Sequence, residues 1–555
     1  MSTNSQIAKI SEEAPVIDIF LREVPTTKRL LYSALREFVD DKQSMFPSIG
    51  IISGLRQTGK TTLLKQLAAD YVGYKRILYI NFRDNVIYSH PEDESLQEMT
   101  AIDAVHEILS GKYTEFDLFL FDEITSLNNY EVLSGNLYDS SSGSGPRWRY
   151  KVLMTGSSPF HLRSLSSGSL GASRSKLFRL TVLKFIEYLH IVKNVSYDDY
   201  SMVTREDFID YLVLKDLPPS SLRTFDMQYF ANYRRDIAIG DEMTCHQRGV
   251  ADLDSEDLKD LAHVLAYQLA YRVGLRKLTK INAGKYELGR FGGHSKFDLS
   301  HSLLAISNAN IARLKSRGVY ESIANLFHFL IESDIVNIGV ELSSEQDKVA
   351  QPIGLSRCVR DLRTESEFTA FFNQHSISMN SPLLYSRLGD DILSFAGTSL
   401  EEFFGALQNQ ANSLLGDLLE VYLRGGVAEL DNSGLPYVSK KLSVGHDAEI
   451  DIVDTSFRIM CESTVKNKDT GKVHLANYYK DNEFIRICTT SNLVGVKDCY
   501  HMYPWYIFCC MVDTRDVLKL CRTTSDQSLG NIQDKVEGIS ISDDIAMQYI
   551  SKHKR

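Results

Sequence analysis

The sequence lacks any long apolar run. A membrane-spanning helix needs about 20 consecutive apolar residues, and no stretch of this chain approaches that length. The start of the chain, Met1 to Ser11, is polar and has no apolar signal core. We therefore expect a cytoplasmic protein that does not contact a membrane.

Cysteine is also scarce and unpaired in sequence. The 555 residues include 8 cysteines, none of them in a CxxC pair. The adjacent Cys509 and Cys510 lie inside an apolar run, residues 506–512. This pattern excludes a disulfide or zinc framework and predicts reduced cysteines in the core.

The chain has no excess of positive charge, since its formal net charge is −11. This balance argues against a surface covered with nucleic-acid contacts but leaves room for a local basic groove. The hydrophobic fraction of 43% and the charged fraction of 24% are typical of globular proteins. The length suggests about three or four domains.

A glycine-rich stretch stands out against this background. Residues 49–64 combine an apolar strand, a tight loop with two glycines and the start of an apolar helix. The spacing of Gly54, Gly59, Lys60 and Thr61 is that of a phosphate-binding P-loop. In such a loop the backbone N–H groups face the β- and γ-phosphates of ATP, the lysine supplies charge and the threonine hydroxyl ligates Mg²⁺. The predicted nucleotide-binding residues are Gly54, Arg56, Gln57, Thr58, Gly59, Lys60, Thr61 and Thr62.

Two carboxylates close a later apolar strand, residues 116–123. Acids after an apolar strand are by themselves more often a solvated strand end. Because these acids follow a P-loop by about sixty residues, they predict the part of a nucleotide-hydrolysing site that binds Mg²⁺ and activates water. Asp122 would then bind Mg²⁺ together with Thr61, and Glu123 would polarise the attacking water.

Two further stretches offer weaker candidates. The hydroxyl-rich segment 155–158 follows a strand, and there Ser157 is either a sensor of the γ-phosphate or part of a plain turn. Arg174 follows a loop rich in serine and glycine. It is either an arginine finger, acting in its own chain or on a neighbouring subunit, or an ordinary surface residue.

The motifs together resemble the prokaryotic AAA-type ATPases of the archaeal-ATPase class. The resemblance covers about residues 25 to 195 and implies that Lys60, Glu123 and Arg174 are catalytic, with Ser157 in the sensor region and Thr61 and Asp122 as Mg²⁺ ligands. It also implies an α/β fold: a parallel P-loop NTPase sheet with helices on both faces, then a helical or winged-helix domain and an α/β C-terminal domain. The matching stretches are Gly54 to Leu64, Leu78 to Phe82, Leu118 to Glu123, Thr155 to Ser158 and Arg174 to Leu189.

Composition and this resemblance divide the chain into predicted segments. A helix over residues 319–332 and a strand over 335–342, with basic residues before them, fit a winged helix that either contacts DNA or serves only for packing. The predicted segments are an N-terminal arm (1–16), the ATPase domain (17–195), a helical lid and winged-helix domain (196–345), a connecting segment (346–400), a nuclease-like domain (401–525) and a tail (526–555).

The last domain carries a second group of acids. The sequence predicts that Glu420 lies on an amphipathic helix and that Asp451 and Glu462 lie on two short strands joined by a hairpin. Converging carboxylates with a lysine suit metal-dependent phosphodiester hydrolysis, and the order of elements resembles the PD-(D/E)xK nucleases. The lysine expected two residues after Glu462 is Thr464, with Lys466 two further on. The alternatives are an active nuclease and a degenerate domain used for docking or binding.

Three functions follow as hypotheses. The first is a Mg²⁺-dependent ATPase whose nucleotide state moves the winged-helix and nuclease-like domains, with DNA as a candidate ligand of these domains, in either a homo-oligomer or a complex with a partner protein. The second is a slow nucleotide-gated switch that serves as a DNA- or protein-binding platform. The third is a metal-dependent nuclease effector in defence against mobile elements.

Overall fold

We describe the protein from a computed structural model. Apart from a few isolated positions, the described residues are 24–41, 49–55, 57–91, 93–110, 112–113, 115–127, 150–156, 175–214, 318–332, 335–342, 359–379, 412–431, 438–443, 449–454, 457–465, 485–491, 494–497 and 500–520. They divide into two compact units, Met1–Thr181 and Val182–Arg555, and each is described by itself.

The described residues of the first unit form six strands with helices between them. Its helices are α1 (Leu31–Asp40), α2 (Lys60–Tyr71), the short α3 (Glu94–Gln97) and α4 (Ala101–Leu109). Its strands are β1 (Ile49–Ser53), β2 (Ile77–Asn81), β3 (Val86–His90), β4 (Leu118–Asp122), β5 (Lys151–Thr155) and β6 (Ser175–Arg179).

These strands form a single sheet in the order β3-β2-β4-β5-β1-β6. All neighbouring strands are parallel except β2 and β3, which form an antiparallel pair. The strands with buried residues on both faces read as continuous apolar runs, as expected for a parallel sheet covered on both sides. The predicted mixed α/β fold with a mostly parallel P-loop sheet is thus confirmed for this unit.

Each face of the sheet has its own core. Because successive side chains of a strand point to opposite faces, Ile51 packs on the face covered by α4 and Ile52 on the face covered by α1 and α2. Gly50 also faces α1: a Cβ atom there would lie 2.5 Å from Leu153 and 3.1 Å from Phe38. The close approach of these side chains requires glycine at this position.

Two strands of this sheet have limits set by their neighbours. Strand β3 forms because the turn over residues 82–85 folds the chain back along β2. The last strand, β6, ends at Arg179. Its partner β1 ends at Ser53 and turns into the P-loop, so pairing stops there. A final bond joins the Leu180 N–H to the Ser53 carbonyl at 2.7 Å.

The second unit contains six described helices and nine described strands. The helices are α5 (Phe185–Lys193), α6 (Arg205–Leu214), α7 (Val319–Glu332), α8 (Glu365–Gln374), α9 (Asn412–Ala428) and α10 (Trp505–Asp513). The strands are β7 (Val336–Leu342), β8 (His375–Met379), β9 (Val438–Ser443), β10 (Glu449–Ile450), β11 (Ile452–Asp454), β12 (Ile459–Glu462), β13 (Ile485–Thr490), β14 (Gly495–Lys497) and β15 (Tyr500–Pro504).

The strands of the second unit form two sheets. One has the order β10-β9-β7-β8, and the other has the order β11-β12-β13-β15-β14. Helix α7 has the predicted bounds. The strand after it, β7, pairs in parallel with the distant β9 and so belongs to a sheet with later parts of the chain. The winged helix stays a prediction, since its basic residues Arg290, Lys296, Arg313, Lys315 and Arg317 lie outside the described residues.

The start of helix α5 is held by side chains from much later in the sequence. The Phe185 N–H donates to the Tyr422 hydroxyl at 2.9 Å, and the Ile186 N–H donates to Asp513 at 3.1 Å. Tyr422 in turn donates to the Asp513 carboxylate at 2.7 Å. These contacts satisfy two of the N–H groups that every helix start leaves without an internal partner.

The domain limits predicted from the sequence stay a prediction, although the compact units divide the chain at Thr181 rather than at residue 195.

Among the described residues, no helix is both long and apolar enough to cross a membrane.

Candidate active site

The predicted P-loop joins β1 to α2 with a backbone that only glycine permits at two points. A Cβ atom on Gly54 would lie 2.2 Å from the Leu180 carbonyl oxygen. Gly59 has φ +97°, and Gln57 before it also has a positive φ of 60°. Alternation of left-handed and right-handed residues turns successive N–H groups to one side of a loop, which forms a cradle for anions.

Lys60 begins helix α2 and is buried, with 5% of its surface exposed. Its ammonium donates to the carbonyl oxygens of Gly54 at 2.8 Å and Leu55 at 2.7 Å. The Thr58 hydroxyl donates to the same Leu55 carbonyl at 2.8 Å. The lysine charge is thereby held within the loop, and Thr61 and Thr62 follow it in the first helical turn, both partly buried.

Strand register brings the predicted acid to the same edge of the sheet. Asn81 of β2 pairs with Asp122 of β4, and Thr155 of β5 pairs with Ile52 of β1. Since Phe121 pairs with Met154, the next residues, Asp122 and Thr155, are also level. The carboxyl ends of four parallel strands therefore meet beside the P-loop, which is where open α/β sheets bind ligands.

Asp122 is fully buried and is surrounded by neutral donors. Its carboxylate accepts a hydrogen bond from the Tyr79 hydroxyl at 2.7 Å, a longer one from Asn81 at 3.5 Å and a short one from the Thr155 hydroxyl. Burial, followed by the nearby Asp122 charge, raises the pKa of Tyr79, so its hydroxyl keeps the proton that it donates.

The surroundings of Asp122 fit a divalent cation. None of the Lys, Arg or His residues in the described part of the chain forms an ion pair with this carboxylate. A buried carboxylate is costly unless a cation or several hydrogen bonds compensate it. Oxygen ligands are also those that Mg²⁺ prefers.

Glu123, the second acid, directly follows β4 with a left-handed backbone of φ 56°. Its N–H donates to the Thr155 hydroxyl at 3.2 Å, and the residue is partly buried. A non-glycine residue in this conformation is sterically unfavourable and is found mostly where the surroundings enforce it. Thr155 thus contacts both predicted acids, through the side chain of one and the backbone of the other.

Several predicted residues cannot be placed. Arg56, Ser157, Arg174 and Lys466 all lie outside the described residues. Their roles stay predictions.

Sequence reasoning missed Tyr79 as a partner of Asp122 and chose Ser157 over Thr155 within the hydroxyl-rich segment. A signal for Tyr79 was available. It is a tyrosine inside an otherwise aliphatic strand, and a buried tyrosine hydroxyl usually has a hydrogen-bond partner.

The C-terminal acids have different neighbours. Glu420 forms an ion pair with Arg424, with 2.5 Å between Oε1 and Nη2, and the Arg424 Nε–H donates to the backbone carbonyl of Asp451 at 3.0 Å. The Asp451 carboxylate accepts from both the N–H and the hydroxyl of Ser463 at 2.8 Å. The buried arginine therefore supplies the positive charge that a metal ion would otherwise bring to Glu420.

Asp451 and Glu462 nevertheless lie at the same end of the β11–β12 pair, as the hairpin prediction required. Ile452 pairs with Cys461 in this antiparallel ladder, so the two acids flank the last pair. Within the described ranges, no group of three or more His, Cys, Asp or Glu side chains is arranged to hold a metal ion. The nuclease-like site stays a prediction.

Comparison with known proteins supports the P-loop assignment. A family model described as an AAA domain matches residues 47–189, the part of the chain that contains the P-loop, Asp122 and Glu123. Residues 47–189 are therefore similar to an AAA domain. No curated protein matches the sequence.

Several solved structures are similar to the chain. The ORC2 protein of Aeropyrum pernix, in an ADPNP–ADP complex, is 14% identical, with 68% of this chain and 97% of that chain covered and a TM-score of 0.33. AMPPCP-bound DnaA from Aquifex aeolicus is 16% identical over 55% of this chain and 93% of that one, with a TM-score of 0.26. A Walker-type ATPase of Pyrococcus abyssi is 14% identical over 51% and 93%, with a TM-score of 0.30. Since these TM-scores lie below 0.5, the likenesses do not establish a shared overall fold.

Proposed function

We propose that the protein is a Mg²⁺-dependent ATPase that hydrolyses ATP to ADP and phosphate at the edge of the first sheet. The observation that carries this proposal is the register that sets Asp122 level with Thr155 and Ile52, next to the P-loop. A phosphate cradle and a buried carboxylate at one sheet edge are the two halves of a nucleotide-hydrolysing site.

Each residue has a distinct part in this proposal. The N–H groups of residues 56–60 bind the phosphates, Lys60 neutralises their charge, and Thr61 and Asp122 hold the cation. Mg²⁺, when bound, neutralises the charge that develops on the phosphate oxygens. Glu123 orients the attacking water and accepts its proton. The Thr155 hydroxyl fixes Asp122 and the backbone of Glu123 relative to each other.

Arg174 is proposed as the residue that neutralises charge on the transferred phosphoryl group, in the same chain or from a neighbouring copy. Its position after the serine- and glycine-rich segment supports this role.

We also propose that nucleotide state acts on the second unit. The first unit ends at Thr181, and helix α5 begins at Phe185. The first N–H groups of α5 are bound by Tyr422 and Asp513 of the second unit. A displacement at the end of β6 would therefore be transmitted through residues 180–184 to helix α5, whose first N–H groups are held by hydrogen bonds.

Steady-state phosphate release by the full chain tests the proposal. We expect turnover that requires Mg²⁺ and is abolished in Lys60→Ala, because the lysine charge cannot be replaced by the loop. Adding duplex DNA or single-stranded DNA tests whether a nucleic acid is the partner, by a change in turnover. A wild-type protein that binds ATP with Mg²⁺ but releases no phosphate beyond the Lys60→Ala level would instead indicate a nucleotide-gated switch.

A further inference from the structure

Arg29 precedes helix α1 and reaches the P-loop from a part of the sequence that none of the motifs covers. The residue is 8% exposed. One terminal nitrogen of its guanidinium, Nη1, donates to the Thr58 carbonyl at 2.8 Å and to the Thr181 carbonyl at 3.1 Å. Arg29 therefore bridges the phosphate loop and the last residue of the first unit.

The bond to Thr58 determines the direction of the next N–H group. In a trans peptide the C=O and the following N–H point in opposite directions. Because Arg29 holds the Thr58 carbonyl toward the buried guanidinium, the Gly59 N–H must point to the opposite side of the loop. Gly59 has φ +97°, so without this bond its flexible backbone has several accessible orientations.

The segment that carries Arg29 is fastened to helix α2, which the P-loop starts. The Gln66 side chain donates to the carbonyls of Pro25 at 2.6 Å and Thr27 at 2.9 Å. Farther along the helix, Asp70 accepts from the Tyr32 hydroxyl and forms an ion pair with Lys28. The residues before and after Arg29 are thus bonded to helix α2, which restricts movement of Arg29 away from the loop.

We propose that Arg29 is a positioning residue for nucleotide binding: it turns the Gly59 N–H toward the phosphates and links the P-loop to the end of the first unit at Thr181. This inference rests on the proposed ATP site and adds to it a residue that touches neither nucleotide nor metal. It also gives the P-loop a direct connection to the point where the chain enters the second unit.

Hydrogen exchange in the nucleotide-free full chain tests the bridge independently of ATP. We expect Arg29→Ala to accelerate exchange in peptides covering residues 54–63 and 175–184, and Arg29→Lys, whose ammonium can donate to both carbonyls, to restore much of the protection. Arg36→Ala is the matched control, because Arg36 is an exposed arginine on α1 that pairs with Asp40. Unchanged exchange of both peptides in Arg29→Ala would overturn the bridge.

Binding and turnover then separate positioning from a merely structural role. Arg29→Ala removes the hydrogen bond from a charged donor to the Thr58 carbonyl. We therefore expect the affinity for Mg-ATP to fall by about ten- to a hundredfold. KM should rise by a matching factor, and kcat should change little. Arg29→Lys should recover most of this loss, and Arg36→Ala should bind as wild type. Equal affinities of wild type and Arg29→Ala would overturn the positioning role. Absence of Mg-ATP binding by wild type itself would refute the ATP site and the positioning role, while the bridge would still be decided by exchange.

Discussion

The two units each contain acids that the sequence predicts as site residues, but the groups around them differ. In the first unit, the described side-chain donors to Asp122 are hydroxyl and amide groups, which carry no positive charge. In the second, Glu420 is paired with Arg424, and that arginine also binds the backbone of Asp451. The described side-chain partners of Asp122 are thus neutral, whereas Glu420 has a positively charged partner.

This difference shows that the partners of an acid determine its chemistry more than its position on a strand. Both sites were predicted from acidic residues, in one unit at a strand end that follows a P-loop and in the other on a helix and two short strands. A neutral donor fixes a carboxylate without neutralising it, while a buried guanidinium both fixes and neutralises it. The predictions below test whether the two groups of acids differ in function as they differ in surroundings.

The largest expected effect is that of Glu123→Gln. Removing a general base typically reduces turnover by about 10²- to 10⁴-fold, and affinity for Mg-ATP should change little because the P-loop is intact. The measurement is phosphate release beside an ATP-binding titration. Glu420→Gln is the matched control in the second unit and should keep wild-type turnover. Equal loss in both variants would remove the distinction between the two groups.

A third buried carboxylate, Asp513, should make the stability of the second unit depend on pH. Burial raises its pKa to about 7, against the favourable charge of Lys184 and hydrogen bonds from Tyr422 and the Ile186 N–H. The nearby Glu187 adds to the rise, and Lys184 itself is partly compensated by Glu429 at 2.8 Å.

The folded state therefore holds a proton on Asp513 that the unfolded state has already released. This contribution to stability is fully present below about pH 4 and is lost as the pH rises through about 7. The total is on the order of 2–4 kcal/mol. Asp513→Asn keeps an acceptor oxygen but does not titrate. Denaturant unfolding of both proteins from pH 4 to 8 should show a smaller slope for the variant, and parallel curves would contradict the assignment.

Asp451→Ala should destabilise the second unit by about 1–3 kcal/mol, because the Ser463 N–H and hydroxyl lose their acceptor. Asp451→Asn retains an acceptor oxygen and should cost less. Both can be measured by denaturant unfolding. Incubation of wild type with plasmid DNA and Mg²⁺ or Mn²⁺ provides the functional comparison. Cleavage that disappears in Asp451→Asn would show that this acid acts on a metal despite Arg424.

The smallest expected effect is that of Tyr79→Phe. The variant removes one of the donors to Asp122 and leaves those from Thr155 and Asn81, so we expect about a fivefold loss in kcat/KM, equivalent to about 1 kcal/mol. The Mg²⁺ concentration for half-maximal rate should rise, since the carboxylate is less firmly oriented. Tyr88→Phe is the control, because the Tyr88 ring packs 6.0 Å from that of Tyr79. If both variants require the same Mg²⁺ as wild type, the Tyr79 bond does not orient the acid.

Local features of the chain were predictable where local forces decide them. Helix α7 has the predicted bounds, and the start of helix α4 is capped by Thr100, whose hydroxyl accepts from the Asp103 N–H at 3.2 Å. The P-loop and Asp122 were likewise predictable, because the spacing of the glycines and an acid after an apolar run are visible in the sequence. Recognising the P-loop in the sequence therefore required no knowledge of distant residues.

Features that depend on distant partners could not be predicted. Strand β7 was placed correctly, but its parallel partner β9 lies far downstream, so its sheet was not predictable from its own residues. The pairing of Glu420 with Arg424 is a local spacing of four residues. Whether that arginine would also reach Asp451 depended on how α9 packs. Arg29 is a similar case, since nothing near it in sequence identifies the Thr58 carbonyl as its acceptor.

Calorimetric titration of the full chain with ATP tests the central claim most directly: the P-loop and Asp122 together hold a nucleotide and its cation. We predict saturable binding of one ATP per chain in the presence of Mg²⁺, much weaker binding in EDTA and none detectable for Lys60→Ala. Binding of equal strength by wild type and Lys60→Ala, or no binding by wild type with Mg²⁺, would contradict it.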